Sequence, residues 1–491
     1  ISQPTSTSSV PRVCSLSSWT QVTTGVVRKI VMQSPTKHCG LDPTPTWLLK
    51  RCLEPSLNII CAIINASLAT GHVPNAFKVA HVTPRLKKPS MDASDISNYR
   101  PVSNLPFVSK VLERVVNVQL NQYLSQNGLH EKFQSAYRQY HCTETALVRV
   151  QNDIMLALSE RKVCLLLLID LSAAFDTVEH STLIDTLSDL GITGTALDWF
   201  RSYLHGRIQQ VKVKDSISSP RHLTSGVPQG SVLGPVLFTL YTASLDRLIQ
   251  SFNMHYHFYA DDSSMYLTFE PNEMNQAVDR MQQCTEAVRQ WMGQRQLKMN
   301  PSKTELLLVT SKHTSRQAPP GTPVLHIGDT SVSPSNAVRY IGVVFDKCMC
   351  MERHIDSVSK TSRYHLYNIG RIRHLLTEQA CRQLVHAFIS SRLDYGDALF
   401  HGLPQNQLQK LQRIQNSAAR IITRTKTRHH ITPVLMDLHW LPIVQRIKFK
   451  IALLVFKCIH DTAPNYLCEL LNQATTSRTL RSSHQHHLLH V

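Results

Sequence analysis

The chain has 491 residues, and 42% of them are apolar, so it is long enough to bury the cores of two or three domains. Lys and Arg outnumber Asp and Glu by 52 to 34, and this net charge of +18 favours a polyanionic partner, either nucleic acid or an anionic membrane surface. The twelve Cys include no CxxC pair, which argues against a zinc ribbon and is typical of a reducing compartment.

The N-terminal part predicts a leader, a helical extension and then a mixed region. Residues 1–24 contain twelve Ser or Thr, and we interpret residues 1–40 as a flexible Ser/Thr-rich leader. Helices are predicted from near Thr46 and over 57–71, and we assign residues 41–67 to a helical N-terminal extension. Residues 78–90 predict a strand that runs into a basic loop, and 97–124 predict a loop followed by an amphipathic helix.

The middle of the chain alternates predicted strands and helices. Residues 163–169, "VCLLLLI", are apolar on both faces, which predicts a central strand. A helix is predicted from Ser231, its cap, and another over 274–299. Beyond residue 346 the chain is predicted to be mostly helical, and 12 of the 18 net positive charges lie from residue 353 onward.

Carboxylates occur at two of the predicted strand ends. Asp170 follows the central strand, and Asp261 and Asp262 interrupt the aromatic run "HFYADDSSMYLTF" between two strands. Taken alone, Asp261 and Asp262 are explained by a surface turn, and Asp170 by a helix cap or an ion pair. Taken together on neighbouring strands, they are the oxygen ligands that Mg²⁺ needs for an in-line phosphoryl transfer.

A glycine-rich loop lies between these two sites. "SGVPQGSVLGP" (225–235) brackets Gln229 with Gly226, Pro228 and Gly230 directly before a predicted helix. Glycines let the backbone approach a ligand closely, and the Gln229 amide is long enough to reach a sugar or a base edge. Such a loop is weak evidence alone, but the order of strand-end Asp, loop with helix, and Asp-Asp hairpin is highly specific.

Seven sequence blocks resemble the reverse transcriptase of non-LTR (LINE-type) retrotransposons and follow one another along the chain in the family's order. The resemblance covers nearly the whole chain. "FYADD" resembles the metal-binding hairpin of the family, "DLSAAFD" the strand with its first catalytic Asp, and "GVPQGSVLGP" the loop under the templating base. "NPSKTELLLV" and "YIGVVFD" resemble the two blocks that follow, and "ISNYRPVSNL" and "FQSAYRQYHCTETAL" the two finger motifs.

The resemblance implies an α/β right-hand polymerase with an α+β palm. Fingers and palm would occupy 68–345, and a mostly helical, basic thumb with a C-terminal extension would occupy 346–491. It implies that Asp170, Asp261 and Asp262 are catalytic metal ligands, and strand alternation favours Asp261 over Asp262 as a direct ligand. The resemblance also implies that Phe175 is the ring under the incoming sugar and that Gln229 and Gly230 belong to the loop under the templating base. Arg100, Lys87 and Arg138 would contact the triphosphate, and Lys303 would be a general acid.

We therefore expect an RNA-directed DNA polymerase that uses two Mg²⁺ ions, deoxynucleoside triphosphates, an RNA template and a DNA primer. A bulky Phe175 argues against an RNA-copying polymerase, and the remaining alternative is a catalytically silent remnant that binds nucleic acid. No secretory signal and no apolar run long enough to span a bilayer is seen, so we expect an intracellular protein, nuclear or cytoplasmic, without a membrane partner. An endonuclease domain commonly precedes the polymerase in this family, and we interpret the chain as truncated at both ends; its oligomeric state is not predicted.

Overall fold

The computed structural model describes residues 14–37, 39–172, 174–311 and 323–471. Residues 1–13 of the predicted leader and residues 472–491 therefore lie outside the described residues. The chain forms two compact units. The first unit comprises residues up to 131 together with 171–246 and 289–299, and the second comprises 132–170, 247–288 and the residues from 300 onward.

Helices and strands alternate up to residue 346, and the described residues beyond it are mostly helical, as predicted. The helices are α1 Thr24–Gln33, α2 Thr46–Arg51, α3 Leu53–Thr70, α4 Phe107–Gln126, α5 Thr143–Ser159, α6 His180–Asp189, α7 Gly194–Leu204, α8 Gly234–Tyr241, α9 Leu245–Ser251, α10 Met274–Gln294, α11 Glu352–Ile372, α12 Glu378–Val385, α13 Ser391–Leu393, α14 Gln405–Thr423, α15 Thr432–Asp437, α16 Ile443–Ile459 and α17 Asn465–Cys468. The strands are β1 Val79–Leu86, β2 Tyr99–Asn104, β3 Val163–Ile169, β4 Leu171–Ser172, β5 Ile208–Val213, β6 Ser216–Ile217, β7 Arg221–His222, β8 His255–Tyr259, β9 Asp262–Phe269, β10 Lys298–Met299, β11 Glu305–Val309, β12 Leu325–Ile327, β13 Thr330–Val332, β14 Ala337–Tyr340 and β15 Val343–Asp346.

The first unit is built on a sheet with the strand order β2-β1-β5-β6, in which β7 also pairs with β5. Strand β2 occupies a stretch that the sequence predicted as a loop, so that prediction was wrong. Pro101 lowers the strand signal, but β2 is an edge strand, where the missing N–H of a proline is tolerated. The antiparallel register sets Arg100 opposite Arg85.

One helix of the first unit, α3, is long and apolar enough to cross a membrane. Its mean hydropathy is 1.3, and 39% of its residues are buried. The buried face includes Ile60, Ile64 and Leu68, and core helices of soluble proteins pass the same test of length and composition. The sequence analysis predicted a helix over 57–71 but no apolar run long enough to span a bilayer, because Asn and Ser residues interrupt the apolar run.

The second unit is built on an antiparallel sheet with the order β11-β3-β9-β8. Strand β3 lies between two partners and all seven of its residues are buried, which confirms the predicted central strand. Helix α5 packs on β3. Residues of α5, β3, β11, β14 and β15 share one apolar core with α11, α12 and α14. Because this core is continuous, the helices after residue 346 stabilise the sheet.

A buried polar network joins the C-terminal helix α17 to this sheet. The Tyr466 hydroxyl, whose residue is 1% exposed, donates to Thr145 Oγ1 at 3.0 Å and lies 2.8 Å from Ser135 Oγ. Ser135 Oγ in turn lies 2.8 Å from Nε2 of His257, in the middle of β8. A buried polar group is costly when it lacks a partner, so Tyr466 should stabilise the sheet through these bonds.

We therefore expect Tyr466→Phe to lower the free energy of unfolding by about 1–3 kcal/mol, because Ser135 and Thr145 each lose a buried partner. Urea unfolding measures this change. Tyr364→Phe is the matched control, since Tyr364 is 63% exposed on α11. Equal stability of the Tyr466 variant and the control would contradict a stabilising role for the network.

Candidate active site

The hairpin that carries Asp261 and Asp262 has a two-residue turn. Tyr259 at the end of β8 pairs with Asp262 at the start of β9, so Ala260 and Asp261 form the turn. Ala260 has a φ of +58°, a left-handed conformation that a Cβ atom disfavours. Tyr256 and Phe258 of β8 are each 3% exposed, so buried rings hold the strand that leads into the turn.

Register places Asp170 at the same end of the sheet as this hairpin. The last residue of β3, Ile169, pairs with Ser263 of β9, so Asp170 follows at the level of Asp262. Desolvation, followed by the like charges of Asp261 and Asp170, raises the pKa of Asp262 to about 6. The structure thus brings together the three carboxylates that the sequence singled out.

Lys303 contacts this cluster through Asp170. Its Nζ lies 3.3 Å from Asp170 Oδ2, and the Lys303 side chain is 60% exposed. The backbone supports this approach, because the Asn300 N–H donates to the carbonyl of Asp170 at 2.9 Å. Lys303 therefore neutralises part of the charge of Asp170 while keeping its ammonium group in contact with solvent.

The donor set suits Mg²⁺. Within the described residues, no group of three His, Cys, Asp or Glu has the arrangement of a ready-made metal cage. Mg²⁺ does not need one, because it commonly binds through one or two carboxylates, several waters and the phosphates of a substrate. Three carboxylates with mutually unfavourable charges at one sheet end are consistent with that mode.

The second finger-like motif, "FQSAYRQYHCTETAL", contributes residues beside the hairpin. The backbone of residues 133–135 pairs in parallel with Phe258 along β8. Arg138 Nη1 donates to the carbonyl of Gln134 at 3.0 Å. Tyr137 has a φ of +60°, and desolvation together with the charges of Asp261 and Asp262 raises the pKa of its hydroxyl. The sequence analysis named Arg138 but missed Gln134 and Tyr137, for which the matching motif was the available signal.

The first unit collects the residues expected around the nucleotide and the template base. The ring of Phe175 packs on Phe238 of α8, with the ring centroids 4.8 Å apart. The Gln229 amide Nε2 donates to Asp176 Oδ2 at 2.9 Å, and the Val227 N–H donates to the carbonyl of Phe175 at 2.8 Å. The glycine-rich loop is therefore bound directly to the segment that carries Phe175.

Gly230 is required by a close backbone approach. Its φ is +125°, and a Cβ atom at this position would lie 2.5 Å from the carbonyl oxygen of Ser103 in β2. The Ser103 N–H also donates to the carbonyl of Gln229 at 2.7 Å. Arg100 lies on this same strand, and Lys87, just after β1, donates from its Nζ to the carbonyl of Ser97 at 2.8 Å.

Glu113, a buried glutamate that the sequence analysis did not single out, accepts hydrogen bonds from the backbone of the glycine-rich loop. Glu113 of α4 is 1% exposed, and its Oε2 accepts the N–H groups of Val232 at 2.6 Å and Leu233 at 3.1 Å. Ser231 Oγ accepts the N–H of Gly234 at 2.9 Å, but α8 begins at Gly234 with Leu233 at its N-cap position, so the prediction of Ser231 as the cap was wrong. A charged residue on the apolar face of an amphipathic helix, next to Leu112, was the signal for Glu113.

Comparison with known proteins identifies the family. Residues 86–345 match the reverse transcriptase (RNA-dependent DNA polymerase) family. The chain is 28% identical over 406 residues to a probable RNA-directed DNA polymerase from transposon X-element of Drosophila melanogaster. This alignment covers 81% of this chain and 43% of that protein. It is 26% identical over 487 residues to the RNA-directed DNA polymerase from mobile element jockey of Drosophila funebris. This alignment covers 95% of this chain and 51% of that protein.

The chain thus spans about half the length of the curated relatives that it matches. The family match covers more than half of the chain and contains Asp170, Phe175, Gln229, Asp261 and Lys303. The chain belongs to the reverse transcriptase family, and its relatives are the RNA-directed DNA polymerases of non-LTR retrotransposons, which confirms the resemblance found in the sequence motifs.

Proposed function

We propose that this chain is an RNA-directed DNA polymerase that extends the 3′-hydroxyl of a primer with deoxynucleoside triphosphates. The observation that carries the proposal is the cluster of Asp170, Asp261 and Asp262 at one end of a buried sheet. A like-charge cluster at the end of a sheet is unfavourable without a cation, and its residues lie within the part of the chain that matches the family.

Each carboxylate would have a part in holding two Mg²⁺ ions. Asp170 and Asp261 would be the direct ligands, and Asp262 would lie beside them. When bound, the two ions supply Lewis-acid activation of the primer hydroxyl and stabilise the leaving oxygen. Lys303, whose Nζ is already 3.3 Å from Asp170, would move a proton from its ammonium group to the leaving pyrophosphate.

The residues of the first unit would bind the nucleotide. Phe175, supported by Phe238, would occupy the space that a 2′-hydroxyl needs, so that deoxynucleotides are preferred. Gln229 and Gly230 would lie against the nucleotide and the template base, where the glycine lets the backbone approach closely. The triphosphate would be bound by Arg100, and by Lys87 or Arg138.

The template and primer would be bound mainly through their phosphates. The region 346–491 would act as a basic thumb, with fingers and palm in 68–345, and binding would weaken as salt rises. Arg413, Arg420 and Arg424 lie on α14 or at its end, away from the buried face of Leu411 and Ile414. An RNA template, a DNA primer and an intracellular location are part of this proposal.

The direct experiment is primer extension on an annealed RNA template with Mg²⁺ and deoxynucleotides. We expect extension by the parent chain and a loss of at least about a thousandfold in Asp261→Ala, since a metal ligand that acts on the transition state is removed. Asp279→Ala is the matched control, because Asp279 is an exposed carboxylate on α10 and should not affect extension.

Two results would contradict the proposal. Extension by Asp261→Ala at the parent rate would exclude Asp261 from catalysis. No extension by any variant, with salt-sensitive template binding intact, would favour the catalytically silent remnant instead.

The charge cluster also predicts how the metal-free protein responds to pH. Because the pKa of Asp262 is raised to about 6 in the folded state, the folded protein binds more protons than the unfolded chain between roughly pH 4 and 6. This carboxyl therefore destabilises the fold above pH 6, and the penalty disappears as pH falls below 4. We expect Asp262→Asn to raise the urea midpoint in EDTA at pH 7.5, with the gain vanishing at pH 4.

Mg²⁺ should reduce the same gain, because bound cations offset the repulsion in the parent chain. A midpoint that falls in Asp262→Asn at pH 7.5, or a gain of equal size at pH 4, would contradict the electrostatic explanation. Asp279→Asn again serves as the control.

A further inference from the structure

The backbone of residues 133–135 pairs with β8 of the second unit through a short parallel bridge. The Phe258 N–H donates to the carbonyl of Phe133 at 3.0 Å, and the Ser135 N–H donates to the carbonyl of Phe258 at 3.0 Å. These two bonds fix the position of the residue between them, Gln134, alongside β8. Because Gln134 pairs with Phe258, its side chain lies near the turn of the hairpin.

The Gln134 side chain reaches the turn itself. Its Oε1 accepts the N–H of Ala260 at 3.0 Å and the N–H of Ala136 at 2.9 Å, and Gln134 is only 4% exposed. Ala260 is the first residue of the turn and immediately precedes Asp261. One amide oxygen therefore joins the finger-like motif to the peptide that leads into the candidate metal ligand.

The turn needs such a partner for two reasons. Ala260 is 9% exposed, and its N–H lies outside the ladder between β8 and β9, so without Gln134 it would be a buried donor without a partner. Its φ of +58° also costs about 1–2 kcal/mol in a residue with a Cβ atom. A conformation of this kind persists only where surrounding contacts hold it.

We propose that Gln134 is a positioning residue that holds the Ala260–Asp261 turn in the geometry that catalysis requires. It acts through the Ala260 N–H and does not contact the reacting atoms. This inference rests on the proposed function, because it assigns to Gln134 the placement of a carboxylate that holds Mg²⁺. Misplacement of a catalytic group by about 1 Å can cost about 100-fold in rate, so a single bond to the turn is sufficient to matter.

The test compares Gln134→Met with Ser135→Ala. Methionine keeps the length of the side chain but removes the acceptor of the Ala260 N–H. Ser135→Ala is the matched control, because it removes buried hydrogen bonds to His257 and Tyr466 from the adjacent residue and leaves the turn untouched. Hydrogen exchange of the Ala260 amide is measured on the metal-free protein, and kcat, the half-maximal Mg²⁺ concentration and the Kd for template–primer are measured on the same preparations.

We expect Gln134→Met to speed exchange at Ala260 by at least about tenfold and to lower kcat by roughly 10- to 100-fold. The half-maximal Mg²⁺ concentration should rise, while the Kd for template–primer stays at the parent value. Ser135→Ala should lower the unfolding midpoint but leave Ala260 exchange and kcat unchanged. This split separates a positioning role from a general loss of stability.

Parent-like exchange at Ala260 in Gln134→Met, or an equal loss of kcat in both variants, would overturn the proposal. The exchange measurement needs no catalysis, so it is decisive even if the parent chain does not extend a primer. In that case the proposed function fails, faster exchange at Ala260 still supports the assignment of Gln134 to the turn, and unchanged exchange refutes it.

Discussion

Repulsion among three carboxylates at one end of a buried antiparallel sheet is the constraint on which the rest of the second unit depends. Asp170 follows the central strand, and Asp261 and Asp262 lie at the adjacent hairpin, where the two like charges contribute to the raised pKa of Asp262. Ionised groups so close together would move apart in a flexible loop. The seven buried residues of β3 and the buried rings of β8 hold them in place.

Because the carboxylates repel one another, the hairpin turn that carries them needs polar contacts to hold it, and several such contacts surround the turn. Gln134 binds the turn, Ser135 and Tyr466 bind the strand behind it through His257, and Lys303 offsets the charge of Asp170. The first unit shows a parallel arrangement around a different element. There Glu113 holds the start of α8 and Ser103 holds Gln229, so the glycine-rich loop is fixed from both sides. In each unit, buried polar residues hold the residues of the candidate site in place.

Much of the site was predictable because its signals are local. An apolar run on both faces predicts a central strand, and Asp-Asp between aromatic runs predicts a hairpin, so the motifs located Asp170 and Asp261 correctly in the fold. Strand β2 was missed because Pro101 weakens the local pattern and only the pairing with β1 reveals the edge position. The predicted helix from Ser231 is divided between α8 and α9, which composition does not indicate. Gln134 and Glu113 were missed because their partners lie more than 100 positions away.

Anomalous scattering from Mn²⁺ would test the role of the carboxylates most directly. Crystals of the chain with template–primer and a non-hydrolysable deoxynucleotide, soaked in Mn²⁺, should show two peaks, each within about 2–2.5 Å of the oxygens of Asp170 or Asp261. Peaks at this position would establish that the charge cluster is a two-metal site. An absence of Mn²⁺ there, or a single ion held by Asp262 away from Asp170, would contradict it.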